Sequence, residues 1–451
     1  MNRLPIIRFQ VKNLNLTSGG KKVLNKLIQA AESIAPIYQK QENSKFLGAN
    51  FYPHGTTKEE ILDAARSDPE ILSPFTMVEK DSGKLIAIPY HVKFRKELEK
   101  TATYLREAAK LTNNRDFAHR LYLQADALLD GNYEASDIYW LTMKPYKIDI
   151  AIGPIDRLDD RLFFKKASYE AWVGIMDAEK TEKAKIIQKA IYDAKRRIFA
   201  PSEKVDFLDK TNLRVDKTLI FSGLFARGMF TSNSLPTDPH LMERYGIEIT
   251  FFDTSLDIKF GKQHYPIFER IFEKQFQKHY SKEVLREGSF RNVLLHEVGH
   301  SLLRYKDSET RLRELFPIID ELSATIFGIK SCGSLVLKGI MSEEELEAIM
   351  IMFICRAFTW WIDSRTQPSV EAFAIGHALA LNHFLSNGAL QEANGISWPN
   401  FSKMFLAIEE LSDALERLIS VGTYSDSKDF IEKYGSLMIY SGFTNRLKGL
   451  I

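Results

Sequence analysis

The chain has 451 residues, with 61 lysines and arginines against 59 acidic residues, so its formal net charge is only +2. Such a length favours two or three domains over a single core. A near-neutral balance without a basic block argues against nucleic acid or an anionic membrane as a partner. No signal peptide or membrane span is indicated, and the two cysteines, Cys332 and Cys355, predict reduced thiols in a cytoplasmic protein. A single disulfide between them stays open.

The spacing of apolar residues predicts an α+β fold whose C-terminal half is mainly helical. In the first part of the chain we expect helices over residues 22–35, 58–66, 93–111 and 115–129, and short strands over 85–88 and 146–152. A helix follows over 168–199, with strands over 218–221 and 247–252. From Pro266 onward the pattern is almost wholly helical. It includes a buried helix over 346–362 that begins at a capping box formed by Ser342 and Glu345.

The motif His296-Glu297-Val298-Gly299-His300 is the most informative feature of the chain. Two histidines four positions apart share one face of a helix and can bind one metal ion, while Glu297 can act as a general base. An apolar stripe that follows Ser289, a candidate N-cap, supports a helix here. The motif predicts one Zn²⁺ per chain. The alternative is a buried helix with ordinary histidines, which would leave Glu297 buried at a cost without an ion.

A catalytic zinc ion usually has three protein ligands and one open position. Glu321 is the best candidate for the third ligand, because Asp320 and Glu321 form an acidic pair in an apolar helix that begins near Pro317. Asp320 could accept a hydrogen bond from the second ring nitrogen of a histidine ligand. A polar helix face with both acids in water is the alternative.

Several stretches resemble the dipeptidyl peptidase III zinc metallopeptidases. They are residues 136–175, residues 232–260 (SNSLPTDPHLMERYGIEITFFDTSLDIKF), NVLLHEVGHSL with IIDELSAT, and residues 375–390 (IGHALALNHFLSNGAL). They occur in the family's order and span most of residues 40–435. The resemblance is to a shorter branch of that family, because HEVGH lacks the extra residue of its better-known members.

The resemblance implies a two-lobed, zincin-like metallopeptidase that hydrolyses short peptides and releases dipeptides from a free N-terminus. The mixed α/β lobe on the substrate side would comprise residues 1–176 and 216–262, and the helical zinc lobe residues 177–215 and 263–451, with a cleft between them. The resemblance further implies that His296, His300 and Glu321 bind the zinc ion. Glu297 would be the general base, Asp320 would orient a ligand, and His377 would stabilise the tetrahedral intermediate.

The substrate side departs from the family pattern. Asp156 takes the place of an acid that helps to bind the substrate's amine, and a carboxylate suits that charge. Ser234 and Thr237 stand where two asparagines usually bind the peptide. Leu158 replaces a tyrosine that donates to the oxyanion, a loss that can cost ~10²- to 10³-fold in rate. In addition, Thr325 replaces an acid of the third-ligand motif, and Leu381 replaces a basic or polar residue.

Two alternatives therefore stay open beside the exopeptidase. One is a zinc hydrolase of altered specificity, and the other is a catalytically weak peptide-binding protein on the same fold. Glu297 favours an enzyme, because a structural zinc ion needs no base beside its ligands. The sequence indicates neither the physiological substrate nor the oligomeric state.

Overall fold

A computed structural model describes residues 3–199, 210–303, 305, 307–367, 370–391, 396 and 398–450. The chain divides into two compact units, residues 1–178 with 210–255 and residues 179–209 with 256–451. Helices and strands occur together in the first unit and helices dominate the second, so the predicted α+β class is confirmed. The predicted lobe boundaries stay a prediction, and residues 200–209 within them lie outside the described residues.

A mixed sheet forms the centre of the first unit. Its strands are β1 (Ile6–Arg8), β4 (Ile148–Pro154), β5 (Tyr169–Met176), β6 (Thr211–Gly223), β7 (Ser232–Leu235) and β8 (Ile247–Phe252); β2 (Thr76–Asp81) and β3 (Lys84–Pro89) form a separate hairpin. The sheet order is β4-β5-β6-β8-β7, with β1 also paired to β6, and the β6–β8 pair is parallel while the others are antiparallel. Ser82 and Gly83 both have positive φ, which closes the hairpin in two residues.

Most helices of the first unit pack with this sheet around a shared apolar core. The helices of the unit are Ser18–Ser33, Ala35–Gln41, Lys58–Ser67, Tyr90–Lys93, Arg95–Leu111, Arg115–Asp130, Glu134–Thr142, Leu224–Gly228 and Pro239–Tyr245, with a 3₁₀ turn at Pro69–Leu72. The Lys58–Ser67 helix begins at a capping box of Thr57 and Glu60, which satisfies two of its free backbone donors.

The second unit is built from helices. They are Ala178–Ile198, Asp253–Lys259, Tyr265–Ile271, Lys274–Gln277, Lys282–Gly299, Ser308–Leu312, Phe316–Leu337, Glu343–Ser364, Glu371–Ser386, Phe401–Val421 and Tyr424–Tyr434, with a π turn at Phe260–His264 and 3₁₀ turns at Arg313–Leu315 and Leu437–Phe443. The capping box of Ser342 and Glu345 is confirmed. In the described part of the chain, no helix combines the length and apolarity needed to cross a membrane.

Two predicted elements need correction. Residues 169–176 form strand β5 rather than the start of a helix, because this run is buried on both sides between β4 and β6 and shows no alternation. The helix that carries the HExxH motif begins at Lys282 with Ser281 as its N-cap. Ser289 is therefore an interior residue, and its hydroxyl lies 2.8 Å from Nδ1 of His264.

Candidate metal centre

Three side chains predicted to bind metal come together in the second unit. His296 lies in the last turn of the HExxH helix (Lys282–Gly299), His300 follows as its C-cap, and Glu321 lies in the second turn of the Glu321 helix (Phe316–Leu337). Oε2 of Glu321 is 3.3 Å from Nε2 of His296 and 3.6 Å from Nε2 of His300. One ligand atom from each of the three residues lies within 4.8 Å of the others.

Two glycines allow the HExxH helix and the Glu321 helix to cross with their backbones in contact. A Cβ atom on Gly299 would lie 1.8 Å from the carbonyl oxygen of Ala324, and one on Gly328 would lie 2.2 Å from that of Leu295. No side chain larger than hydrogen fits at either position without a backbone shift. The crossing point is therefore backbone against backbone, beside both the histidine pair and Glu321.

The ring of His296 is oriented by the Glu321 helix. Its Nδ1 lies 2.8 Å from the hydroxyl oxygen of Thr325, which is itself 3.3 Å from the carbonyl oxygen of Glu321. The ring thus bonds on one side to Thr325 and turns its Nε2 toward the Glu321 carboxylate on the other. Thr325, noted in the sequence only as a departure from the family pattern, is a direct partner of a predicted ligand.

A carboxylate lies beside the same ring nitrogen of His300. Nδ1 of His300 lies 3.4 Å from Oδ2 of Asp320, and the orienting role of Asp320 stays a prediction. Burial disfavours the charged imidazole, but Asp320 and Glu321 outweigh it and raise the pKa of His300 well above its usual value. Burial likewise opposes ionisation of Glu321, but the two facing imidazoles hold its pKa below the usual range.

These residues fit a metal ion by their donor atoms. Oε2 of Glu321 is buried and makes no hydrogen bond of acceptable geometry within the described residues, although two imidazole nitrogens face it. A buried carboxylate oxygen without a donor is costly unless a cation binds it. Two histidines with one glutamate are a ligand set that zinc takes in catalytic sites.

A buried arginine adds positive charge near the centre. Arg356, in the helix Glu343–Ser364, is 7% exposed and donates from Nη1 to Oδ1 of Asn292. Burial lowers the pKa of Arg356 to about 10, against the opposing effect of the carboxylates of Glu297 and Glu321. The sequence did not suggest this role, because an isolated arginine in an apolar helix is not a motif.

His377 is buried in the helix Glu371–Ser386, and its Nδ1 lies 2.8 Å from the carbonyl oxygen of Phe373. A carbonyl only accepts, so Nδ1 carries a proton. Burial, followed by the charge of Arg356, lowers the pKa of His377 to about 3. The neutral ring then offers Nε2 as an acceptor, and this buried atom has no partner within the described residues. The predicted stabilisation of an oxyanion stays a prediction and requires the ring to gain a proton first.

The predicted substrate residues belong to the first unit. Asp156 follows β4, and its backbone N–H donates to Oε1 of Glu170 at 3.2 Å. Burial raises the pKa of Asp156 to about 6, and burial together with the charge of Asp156 raises that of Glu170 well above its usual value. Ser234 is half-buried on β7, and Thr237 is exposed beyond the end of that strand. The sequence reasoning missed Glu170, which lies in the run mistaken for a helix.

Two solved structures resemble this chain over almost its whole length. DPP III from Caldithrix abyssi superposes with a TM-score of 0.87 at 23% identity, covering 97% of this chain and 94% of that one. Dipeptidyl-peptidase III from Corallococcus sp. strain EGB superposes with a TM-score of 0.78 at 25% identity, covering 98% and 93%. The chain therefore has the fold of these dipeptidyl-peptidase III structures. The resemblance predicted from the motifs is thereby confirmed.

A curated relative was also found by sequence. Nudix hydrolase 3 of Arabidopsis thaliana is 25% identical over 422 residues, which are 86% of this chain and 54% of that protein. The dipeptidyl-peptidase III-like chain thus spans about half the length of this relative. No family profile matches the chain.

Proposed function

We propose that this chain is a zinc-dependent metallopeptidase that releases dipeptides from the free N-terminus of short peptides. The convergence of His296, His300 and Glu321 on one point, with Glu297 next to His296, carries the proposal. The similarity to two structures named dipeptidyl-peptidase III, over at least 93% of each, supports a peptidase of that kind.

The residues of the second unit divide the chemistry between them. His296, His300 and Glu321 would hold the zinc ion, which when bound polarises the scissile carbonyl and lowers the pKa of water. Glu297 takes a proton from the attacking water and delivers it to the leaving amine. Arg356 supplies a fixed positive charge that offsets the carboxylates of Glu297 and Glu321.

The paired carboxyl groups of Asp156 and Glu170 support recognition of a substrate amine. Their raised pKa values mean that the pair holds protons more readily than isolated carboxyls do. A peptide ammonium beside them would favour the ionised pair and would donate charge-assisted hydrogen bonds. An acetylated N-terminus lacks this charge.

A specificity different from that of the family is the second candidate. Leu158 is 46% exposed where the family pattern has a tyrosine, so it offers no hydroxyl to an oxyanion. Ser234 and Thr237 have shorter side chains than the asparagines they replace, and they bring one hydroxyl each in place of an amide. These substitutions favour peptides that bind with fewer polar contacts.

The test uses a library of short peptides with free or acetylated N-termini, together with metal analysis of the same preparation. We expect one zinc ion per chain and dipeptide release from free N-termini only. Cleavage of both sets would favour a hydrolase of altered specificity. A zinc-loaded protein that cleaves neither set would refute the peptidase proposal and favour a binding protein.

A further inference from the structure

The two histidines of the metal centre have chemically different partners at Nδ1. Asp320 lies next to His300 with a carboxylate, whereas Thr325 meets His296 with a neutral hydroxyl. Asp320 and Thr325 flank Glu321 on the same helix, and Thr325 is only 1% exposed. One helix therefore supplies a metal ligand and the orienting partners of both other ligands.

The two contacts of the Thr325 hydroxyl favour one arrangement of protons. A hydroxyl carries one proton, and that of Thr325 is directed to the carbonyl oxygen of Glu321, which can only accept. The hydroxyl oxygen is left to accept from Nδ1 of His296. Nδ1 therefore bears a proton, and Nε2 faces the Glu321 carboxylate, the third candidate ligand.

We infer that Thr325 is a positioning residue that keeps Nδ1 of His296 protonated and directs Nε2 toward the metal ion. This inference rests on the proposed function for the identity of the metal. The hydrogen-bond chain also couples the backbone of Glu321 to the ring of His296, so two ligands are set by one hydroxyl. Because Thr325 is neutral, the two residues that orient the histidines, Asp320 and Thr325, carry one negative charge, whereas two carboxylates would carry two.

Three variants separate orientation from simple loss of a buried hydroxyl. Thr325→Val keeps the shape of the side chain but removes the hydroxyl that accepts from His296, and Thr325→Ser keeps that hydroxyl. Thr359→Val is the matched control, because Thr359 is also buried in the second unit and also donates to the carbonyl four residues earlier, that of Cys355. Zinc affinity is measured by competition with a chromophoric chelator.

We expect Thr325→Val to bind zinc ~10- to 100-fold more weakly than wild type, as for loss of other partners of ligand histidines. Thr325→Ser and Thr359→Val should stay within about threefold of wild type, since each keeps the His296 partner. Wild-type affinity in Thr325→Val would overturn the inference.

Ring ¹⁵N spectra of the metal-free protein, labelled at histidine, give a second readout. The signal of His296 is assigned with a His296→Gln variant. We expect a protonated Nδ1 in wild type and in Thr325→Ser, and a smaller population with a protonated Nδ1 in Thr325→Val. A wild-type ring protonated at Nε2 alone would overturn the inference without any metal measurement. If wild type binds zinc but releases no dipeptide, the proposed function fails while the role of Thr325 stands.

Discussion

Replacing Gly299 by alanine tests whether the close helix crossing builds the metal centre. The added Cβ would lie 1.8 Å from the carbonyl oxygen of Ala324 and 2.6 Å from its carbonyl carbon, whereas ordinary contacts begin near 3.4 Å. The Glu321 helix must therefore move by more than 1 Å near Ala324, because both clashing atoms are backbone. Overpacking of this kind costs ~1–3 kcal/mol of folding free energy.

Gly299→Ala should weaken zinc binding by more than the loss of folding free energy alone would. Ala324 lies between Glu321 and Thr325, so a shift there displaces the third ligand and the His296 partner together. Because ligands must be held within ~0.5 Å of their working geometry, we expect zinc affinity to fall by at least about tenfold. The assay combines chelator competition with urea unfolding of the metal-free protein, followed by circular dichroism.

Gly261→Ala is the matched control for Gly299→Ala. It adds the same methyl group to a helical glycine of the second unit, where no atom lies within 4 Å of the new Cβ. We expect it to change stability by less than ~0.5 kcal/mol and to leave zinc affinity unchanged. If Gly299→Ala behaves like this control in both assays, the close crossing does not determine the ligand geometry.

Three further variants or treatments test other parts of the protein. Glu297→Gln should keep zinc but lose at least ~10²-fold in peptide turnover, because the amide cannot accept the proton; full activity with zinc bound would rule out Glu297 as the base. Cys332 and Cys355 are buried, free thiols whose pKa values burial raises, so a thiol reagent should label two groups only after denaturation, and rapid native labelling would contradict this. Burial lowers the pKa of Lys166 to about 7 although nearby carboxylates oppose the shift, so the folded chain binds fewer protons than the unfolded chain between pH 7 and 10.5, and stability should rise across that window. Lys166→Met should flatten this rise in urea unfolding at several pH values, and an unchanged slope would assign the rise to another group.

The sequence predicts those parts of the fold that depend on local periodicity. The amphipathic helices Arg95–Leu111 and Arg115–Asp130 were predicted within two residues at each end, because one face of each is apolar and the other charged. Strand β5 was not predicted, because its residues are buried on both faces of the sheet. An unbroken apolar run does not distinguish a central strand from a buried helix. That error also hid Glu170, the partner of Asp156.

At the candidate metal centre, the sequence and the family resemblance led to three residues that could bind a metal ion, but not to the geometry that orients them. His296 and His300 share a motif with a fixed spacing, and Glu321 belongs to an acidic pair in an apolar helix. The role of Thr325 depends on a contact between two helices, which sequence spacing does not encode. The spacing shows only that Thr325, four residues after Glu321, shares a helix face with it.

Gly299, Gly328 and Thr325 lie at one helix crossing, and we expect the crossing to determine whether the Thr325 hydroxyl can serve in place of a carboxylate. The glycines bring the two helix backbones into contact, so the short side chain of Thr325 reaches Nδ1 of His296 at 2.8 Å. If the crossing places this hydroxyl, the double variant Gly299→Ala/Thr325→Val should bind zinc no more weakly than Gly299→Ala alone, because Gly299→Ala has already displaced the hydroxyl from His296. Additive losses in that double-variant cycle would show that the crossing and the hydroxyl act independently.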